Sequence, residues 1–132
     1  MLGYCRSLVT KAPPFIAVVD DEEPVRKALM RLMRSAGLSV ETFGSGAEFL
    51  KSVDIRLPDC AVLDLHMPQM DGFSVQASLA RKCAALPVII LTGHDLPNAR
   101  ERAMQGGASA FLRKPVADHT LLDAISAATT SC

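Results

Sequence analysis

The sequence predicts an α/β domain in which a five-stranded parallel sheet carries helices on both faces. Five short apolar runs alternate along the chain with five segments whose apolar residues recur every three or four positions. Such strand–helix alternation is typical of a doubly wound sheet with right-handed crossovers. The length of 132 residues corresponds to one domain with a sizeable core.

The first strand and helix have clear signals. Phe15–Val19 is a continuous apolar run, as expected of a strand buried on both faces. The helix that follows is marked by apolar residues at spacings of three and four: Val25, Leu29, Leu32, Met33 and Ala36. Asp20 or Asp21 is expected to cap this helix. Pro24 suits its first turn, and Gly37 suits its end.

The next two strand–helix units are shorter. Residues 38–41 alternate between apolar and polar, which predicts a half-exposed edge strand, and a short helix is expected over 45–53. The buried side of this helix is expected to hold Ala47, Leu50 and Val53. Residues 60–63 predict a second buried strand. The helix after it is marked by Phe73, Ala77, Ala80 and Ala84.

The last two units complete the alternation. Residues 88–91 form the most hydrophobic predicted strand, and a weaker helix from about 98 to 105 ends at Gly106 and Gly107. Residues 110–112 predict a last short strand. A final helix carries Leu121, Leu122, Ile125 and Ala128.

Composition argues against several functions. Lys plus Arg and Asp plus Glu each total 14, so direct nucleic-acid binding by this chain is not expected. The apolar runs are too short for a membrane span. The four cysteines show no CxxC spacing, which disfavours a zinc site or a redox pair, and Cys60 and Cys83 are expected in the core. These features indicate a reduced, cytoplasmic protein.

Polar residues stand where the predicted strands end. Asp20 and Asp21 follow the first strand, and Asp64 ends the third. Thr92 ends the fourth strand, and the fifth leads to Lys114. Because the carboxyl ends of strands in an open α/β sheet converge on one crevice, we expect these side chains to meet.

The chemistry of this set points to phosphoryl transfer. Clustered carboxylates repel one another and favour a bound cation. Oxygen ligands without a His or Cys cluster favour Mg²⁺. A carboxylate held beside Mg²⁺ and a lysine is suited to attack a phosphoryl group and form an aspartyl phosphate, and Asp64 is the candidate.

These residues carry a resemblance to a known family. Residues 15–128 resemble the receiver domain of two-component response regulators, in the CheY-like superfamily with its flavodoxin-like fold. The matching features are the pair Asp20-Asp21, the block DLHMPQMDG at 64–72, Thr92-Gly93 and Lys114-Pro115. The runs LPVIILTGH at 86–94 and AFLRKP at 110–115 are most similar to the FixJ-like branch. The resemblance implies the strand order 2-1-3-4-5.

The resemblance also implies roles for the site residues. Asp64 is the expected phosphoacceptor. Asp21, Asp64 and the backbone carbonyl of His66 are expected to ligate Mg²⁺, with Asp20 acting mainly through water. Lys114 is expected to pair with the phosphoryl oxygens.

Four further residues are assigned by the same resemblance. Thr92 is expected to swing inward to the phosphoryl group, and Phe111 to follow it from an outward to an inward rotamer. The Lys114-Pro115 bond is expected to be cis. His66 and His94 stand two residues beyond Asp64 and Thr92, where they are expected to tune the loss of the phosphoryl group.

The implied function is a phosphorylation-controlled switch that accepts a phosphoryl group from a sensor histidine kinase or a phosphotransfer protein. The chain would assist its own phosphorylation and act on no separate substrate, so it is not expected to be an enzyme in the usual sense. Phosphorylation is expected to change the surface of the fourth helix and fifth strand, with Arg100, Arg102 and Arg113, for homodimerisation or partner binding.

Three other functions fit these residues less well. A phosphorylation-independent interaction module on the same fold would not need the complete set of site residues. A Mg²⁺-dependent phosphohydrolase of the haloacid-dehalogenase kind would carry DxDx(T/V) on its first strand, whereas Asp64-Leu65-His66 follows the third and lacks the second acid. An FMN carrier is disfavoured because the acidic run at 20–23 would repel the phosphate.

The expected organisation is a flexible leader over residues 1–14, a receiver domain over 15–129 and a short tail over 130–132. FixJ-like receivers often precede a helix-turn-helix domain. A missing C-terminal output domain and a stand-alone regulator are both compatible with this sequence.

Overall fold

Five strands and five helices alternate along the chain in the computed structural model, which describes residues 12–82, 85–94 and 96–130. The elements are β1 (Phe15–Val19), α1 (Glu23–Ser35), β2 (Ser39–Phe43), α2 (Gly46–Val53), β3 (Cys60–Leu63), α3 (Gly72–Lys82), β4 (Val88–Thr92), α4 (Ala99–Gln105), β5 (Ala110–Arg113) and α5 (Asp118–Thr129). Every strand pair is parallel, and the order across the sheet is β2-β1-β3-β4-β5. The predicted fold class and strand order are therefore confirmed.

The sheet is buried on both faces because the residues of its central strands alternate between two apolar clusters. One cluster packs under α2, α3 and α4 and includes Val19, Leu63 and Ile90. The other packs under α1 and α5 and includes Val18 and Val62. A strand enclosed in this way needs apolar residues at every position, as the continuous runs at 15–19 and 88–91 indicated.

Helix α1 begins differently from the prediction and ends as predicted. Its N-cap residue is Glu22, whose side chain makes no capping hydrogen bond, so neither Asp20 nor Asp21 caps it. Asp20 Oδ1 instead accepts a hydrogen bond from the Glu22 N–H at 2.9 Å. At the other end, Gly37 takes a left-handed φ of 85° and its N–H donates to Arg34 O at 3.0 Å. A glycine adopts this helix-ending turn without steric cost.

The buried faces of α2 and α3 agree only in part with those expected, since Val53 is buried and Leu50 and Phe73 pack against the core while the expected alanines among the described residues do not. In α2, Phe49 and Val53 are buried and Ala47 is exposed. In α3, the buried face is Gly72, Val75, Gln76 and Leu79. Ala77 and Ala80 are exposed, and Ala84 lies outside the described residues. The larger side chains face the sheet because they remove more apolar area from water than an alanine does.

Gln76 links α3 to α4 inside this buried face. Its Nε2 donates to the Ala103 carbonyl at 2.9 Å, while its Oε1 is buried without a hydrogen-bond partner. Ala103 O also accepts a hydrogen bond from Ala108 N–H, at the turn after α4. The contact between α3 and α4 is therefore partly polar.

Cys60 is a core residue, as expected. Burial, with a smaller contribution from the charge of Asp59, raises the pKa of its thiol to about 12. Cys83 and residues 1–11 of the predicted leader lie outside the described residues. None of the helices in the described ranges is long and apolar enough to cross a bilayer.

Candidate functional site

The site is built where β1 and β3 end. The backbone N–H of Asp20 donates to Phe43 O at 3.1 Å, and that of Asp64 donates to Val19 O at 3.0 Å. Strand-like hydrogen bonding thus extends to each aspartate and fixes both main chains. The two residues are only 2% and 4% exposed, although each carries a carboxyl group.

Lys114 brings a positive charge between these two carboxyl groups. Its Nζ lies 2.7 Å from Asp20 Oδ2 and 3.6 Å from Asp64 Oδ2. Its backbone N–H donates to Thr92 O at 2.9 Å, so β4 holds the start of the loop that carries the lysine. The Lys114-Pro115 peptide bond is cis, as expected.

The surroundings of Asp64 compensate the charge of its carboxyl group only in part. Burial raises the pKa of the Asp64 carboxyl above its usual value, and the neighbouring charge of Asp20 adds to this effect. The charge of Lys114 and hydrogen bonds from His66 N–H and the Thr92 hydroxyl act in the opposite direction but do not outweigh burial. One ammonium group therefore does not fully compensate two buried carboxyl groups.

Lys114 itself is held in its charged form. Burial lowers the pKa of Lys114, but its hydrogen bond to Asp20 and the charges of Asp64, Asp20 and Glu22 together raise it above the usual value. The cation is therefore a fixed charge of the site.

Asp21 completes a set of three carboxylates that could hold a metal ion. One carboxylate oxygen from each of Asp20, Asp21 and Asp64 lies within 4.8 Å of the others. Asp21 is exposed, so the cluster opens to solvent on its side. Three oxygen ligands with an open side suit Mg²⁺, which keeps several of its waters and is usually bound by one or two carboxylates.

The connection between β3 and α3 fixes the orientation of Asp64. The backbone N–H of His66 donates to Asp64 Oδ1 at 3.3 Å. A Cβ atom on Gly72 would lie 2.7 Å from the Asp64 carbonyl oxygen, so only glycine permits this close approach. Asp71 accepts a hydrogen bond from Ser74 N–H at 2.9 Å and starts α3 at this point. The Asp71-Gly72 pair is thus structural.

The predicted switch residues lie beside this site and are buried. Thr92 is 1% exposed, and its Oγ1 accepts a hydrogen bond from His94 N–H at 3.3 Å. Phe111 is 7% exposed and belongs to the cluster beneath α2, α3 and α4. Residue 111 therefore occupies an inner placement in this structure.

His66 and His94 are stacked against each other, which the sequence did not indicate. Their ring centroids are 3.8 Å apart with an interplanar angle of 23°, and both side chains are exposed. Both histidines follow neighbouring strands, since β3 pairs with β4 and Leu63 lies opposite Ile90. The loops that carry them are therefore adjacent, but their offsets along the chain do not give the contact between the rings.

Sequence reasoning missed Arg26, a residue of α1. Its Nη1 donates to the Asp20 carbonyl at 2.7 Å. The spacing of residues along the chain does not indicate a contact between Arg26 and the turn before α1. From the sequence, Arg26 would be assigned to the solvent-exposed face of this helix. Only the folded chain shows that its side chain reaches back to the acidic pair.

Comparison with known proteins places this architecture in a family. Residues 16–126 match the response regulator receiver domain. Nodulation protein W of Bradyrhizobium diazoefficiens is 46% identical over 121 residues, covering 91% of this chain and 52% of the relative. The chain thus spans about half the length of this curated relative.

Two solved structures agree with this match. A response regulator receiver protein from Burkholderia phymatum is 40% identical, with a TM-score of 0.78 and coverage of 90% of this chain and 97% of that chain. The structure of FixJ-N is 31% identical, with a TM-score of 0.84 and coverage of 94% and 98%.

The chain belongs to the response regulator receiver domain family. It is a CheY-like receiver with FixJ-N among its structural neighbours. Proteins of this family are signalling switches in two-component systems rather than classical enzymes, and they bind Mg²⁺ at an acidic pocket.

We predict that Asp64→Asn increases the stability of the metal-free protein at neutral pH, because it removes a carboxylate whose charge is incompletely compensated in the folded state. The raised pKa means that the folded state binds the proton of Asp64 more tightly than the unfolded state. Wild-type stability therefore falls as pH rises from the usual carboxyl pKa through the raised one. Urea unfolding followed by circular dichroism, with a chelator present, measures the difference across acidic and neutral pH.

The matched control is Asp123→Asn, which removes an exposed carboxylate on α5. We expect no comparable gain from this control. The difference in unfolding free energy between Asp64→Asn and wild type should become smaller as the solution is acidified. A difference that stays constant would contradict the interpretation.

Proposed function

We propose that this chain is the phosphoacceptor domain of a two-component phosphorelay, in which a sensor histidine kinase or a phosphotransfer protein donates a phosphoryl group to Asp64. The observation that carries the proposal is the burial of Asp64 within 3.6 Å of the Lys114 ammonium and inside a metal-sized carboxylate cluster. A buried acid held beside a cation and a metal site is arranged for phosphoryl transfer.

In the proposed reaction an oxygen of Asp64 attacks the phosphorus atom. An oxygen–phosphorus bond forms while the nitrogen–phosphorus bond to the donor histidine breaks, and its electron pair leaves on the imidazole, which takes up a proton. Bound Mg²⁺ supplies positive charge for the phosphoryl oxygens. Asp21, Asp64 and the carbonyl of His66 would hold this ion, with Asp20 acting mainly through water.

Lys114 and Thr92 stabilise the product in this scheme. The ammonium group lies between Asp20 and Asp64, so a small movement brings it from Asp20 to the phosphoryl oxygens. The oxygen of Thr92 accepts from His94 N–H, and its O–H, which donates to the Asp64 carboxyl group here, would turn to the phosphoryl group.

We place the receiver at residues 15–129, between the 1–14 leader and the 130–132 tail, in a cytoplasmic protein. The half-length match to its relative and the FixJ-like resemblance support a C-terminal helix-turn-helix output domain outside this sequence. The alternative is an interaction module that works without phosphorylation, and the experiment below distinguishes the two.

We expect a small phosphodonor such as acetyl phosphate, with Mg²⁺, to add one phosphoryl group to the wild-type chain. Asp64→Asn should gain none, because the acceptor oxygen is lost. Asp21→Ala should react at least about tenfold more slowly at limiting Mg²⁺, because a metal ligand is removed. Intact-mass measurement over time gives each rate.

Asp123→Asn serves as the control and should react like wild type. Chelation of Mg²⁺ should abolish the reaction in every protein. A wild-type chain that stays unmodified under these conditions would favour the interaction module, and normal modification of Asp64→Asn would exclude Asp64 as the acceptor.

The surface that is proposed to change on phosphorylation lies on α4 and β5. Arg102 stacks on Phe73 of α3, with its guanidinium carbon 3.8 Å from the ring centroid. A shallow groove of about 430 Å³ runs between Arg100 and the segment after β5. Since Phe111 is already buried here, phosphorylation would increase the population of this inner placement rather than create it.

We expect phosphorylation to shift the chain towards a homodimer through α4 and β5, seen as an approximate doubling of mass in sedimentation. Arg100→Ala should weaken this shift because Arg100 lines the groove. Lys51→Ala, a change of an exposed cation on α2, is the control. An unchanged mass for the phosphorylated wild type, with unchanged hydrogen exchange over residues 96–113, would contradict the proposal.

His66 and His94 are proposed to tune the lifetime of the phosphoryl group. The backbone of each histidine is hydrogen-bonded to a site residue, Asp64 in one case and Thr92 in the other. Their stacked rings therefore join the two loops beside the acceptor and limit the approach of water to the phosphorus atom.

We predict that His94→Ala loses its phosphoryl group several-fold faster than wild type, because removal of one ring opens the approach for water. Intact-mass measurement after removal of the phosphodonor gives the rate of loss. His119→Ala removes an exposed histidine at the start of α5 and should match wild type. Equal rates in all three proteins would contradict this role.

A further inference from the structure

We propose that Arg26 is a positioning residue for the acidic pair, which it holds in the geometry that binds Mg²⁺. The inference rests on the proposed function and adds a residue to it. Its basis is a hydrogen bond of 2.7 Å from Arg26 Nη1 to the carbonyl oxygen of Asp20.

This carbonyl occupies a critical place in the backbone. It belongs to the peptide group that joins Asp20 to Asp21, so its direction sets how the two side chains diverge. The preceding peptide group is fixed as well, because the Asp20 N–H donates to Phe43 O at 3.1 Å. The end of β2 and the guanidinium of Arg26 thus hold the two peptide groups that flank Asp20.

The surrounding chain makes room for the arginine. Side chains on a helix point towards its N-terminus, so Arg26 in the first turns of α1 reaches back over the preceding loop. A Cβ atom on Gly44 would lie 3.2 Å from Nη1 and 3.5 Å from Cζ of Arg26. A side chain directly after β2 would therefore crowd the guanidinium, which would have to shift by a few tenths of an ångström or more.

The positive charge of Arg26 and its hydrogen bond to Asp20 are expected to have opposite effects on Mg²⁺ affinity. A positive charge near the acidic cluster repels Mg²⁺, so its removal should strengthen metal binding if long-range electrostatics decided the affinity. If the hydrogen bond to Asp20 decides it, loss of the arginine should weaken metal binding despite the lost repulsion. Groups that orient metal ligands commonly affect affinity about 10–100-fold.

The test is a Mg²⁺ titration of the unphosphorylated full chain, followed by amide signals in nitrogen–proton NMR spectra. Arg26→Met should bind Mg²⁺ about tenfold more weakly than wild type. The amide signal of Asp21 should shift before metal is added, since its nitrogen shares the peptide group with the Asp20 carbonyl. Arg31→Met, which removes an exposed arginine from the same helix, should bind Mg²⁺ as tightly as wild type or more tightly.

Gly44→Val provides a second variant that keeps the charge of Arg26 while it crowds the guanidinium, and it decides the question if Arg26→Met does not fold. It should also weaken Mg²⁺ binding. Unchanged or tighter binding in the folded variant overturns the inference, and so does an Asp21 amide signal that stays in place.

Different outcomes test the positioning role of Arg26 and the metal site itself. If wild type binds Mg²⁺ and takes up a phosphoryl group while the Arg26 variant binds Mg²⁺ equally well, only the positioning role is wrong. If wild type itself shows no Mg²⁺-dependent shifts near Asp20 and Asp64, the proposed metal site is wrong and the inference falls with it.

Discussion

The structure depends on two carboxyl groups that are buried beside a single ammonium group. An isolated buried charge is costly, and a pair is tolerated only where the opposite charge and hydrogen bonds lie close by. Asp20 receives the shorter contact with Lys114 and the backbone N–H of Glu22. Asp64 receives the longer contact and a weaker set of partners, and its pKa is raised. The ammonium group of Lys114 therefore compensates the charge of Asp64 from a longer distance than that of Asp20.

The incomplete compensation of the Asp64 charge affects both the stability of the fold and the proposed function of the site. If neighbouring groups fully compensated the charge of Asp64, the fold would be more stable. A bound cation or a phosphoryl group would then add little further stabilisation at the site. The three-carboxylate cluster instead keeps one member, Asp21, open to solvent. In the proposed function, a divalent cation would relieve the repulsion among these carboxylates. The clustered carboxylates are therefore a locally unfavourable feature at the edge of the sheet.

The rest of the fold holds this cluster rigidly from several directions. Strand-like hydrogen bonds reach Asp20 and Asp64, and the close approach of Gly72 fixes the backbone of Asp64. β4 holds the backbone of Lys114 through Thr92. These contacts join different elements of the fold. They form only when the parallel strands pair in the correct register.

The sequence by itself determined the fold class, the strand order through the family resemblance, and the set of side chains that meet at the site. These features follow from local patterns: apolar runs for strands buried on both faces, and polar residues directly after them. The prediction failed where burial depends on the rotation of a helix about its axis, as for Ala77 and Ala80 in α3. An alanine fits either face, so only packing of the larger Val75 and Leu79 against the sheet decides the orientation.

Only the tertiary structure decided which partners each site residue acquired. The cap expected from Asp20 or Asp21 does not form, and Asp20 instead pairs with Lys114, which follows β5 and is far away in sequence. The stack of His66 on His94 and the hydrogen bond from Arg26 to Asp20 are likewise contacts between separate segments. Spacing along the chain carries information on which strand end a residue occupies. It carries none on distances between side chains, which are fixed when the sheet and its covering helices pack together.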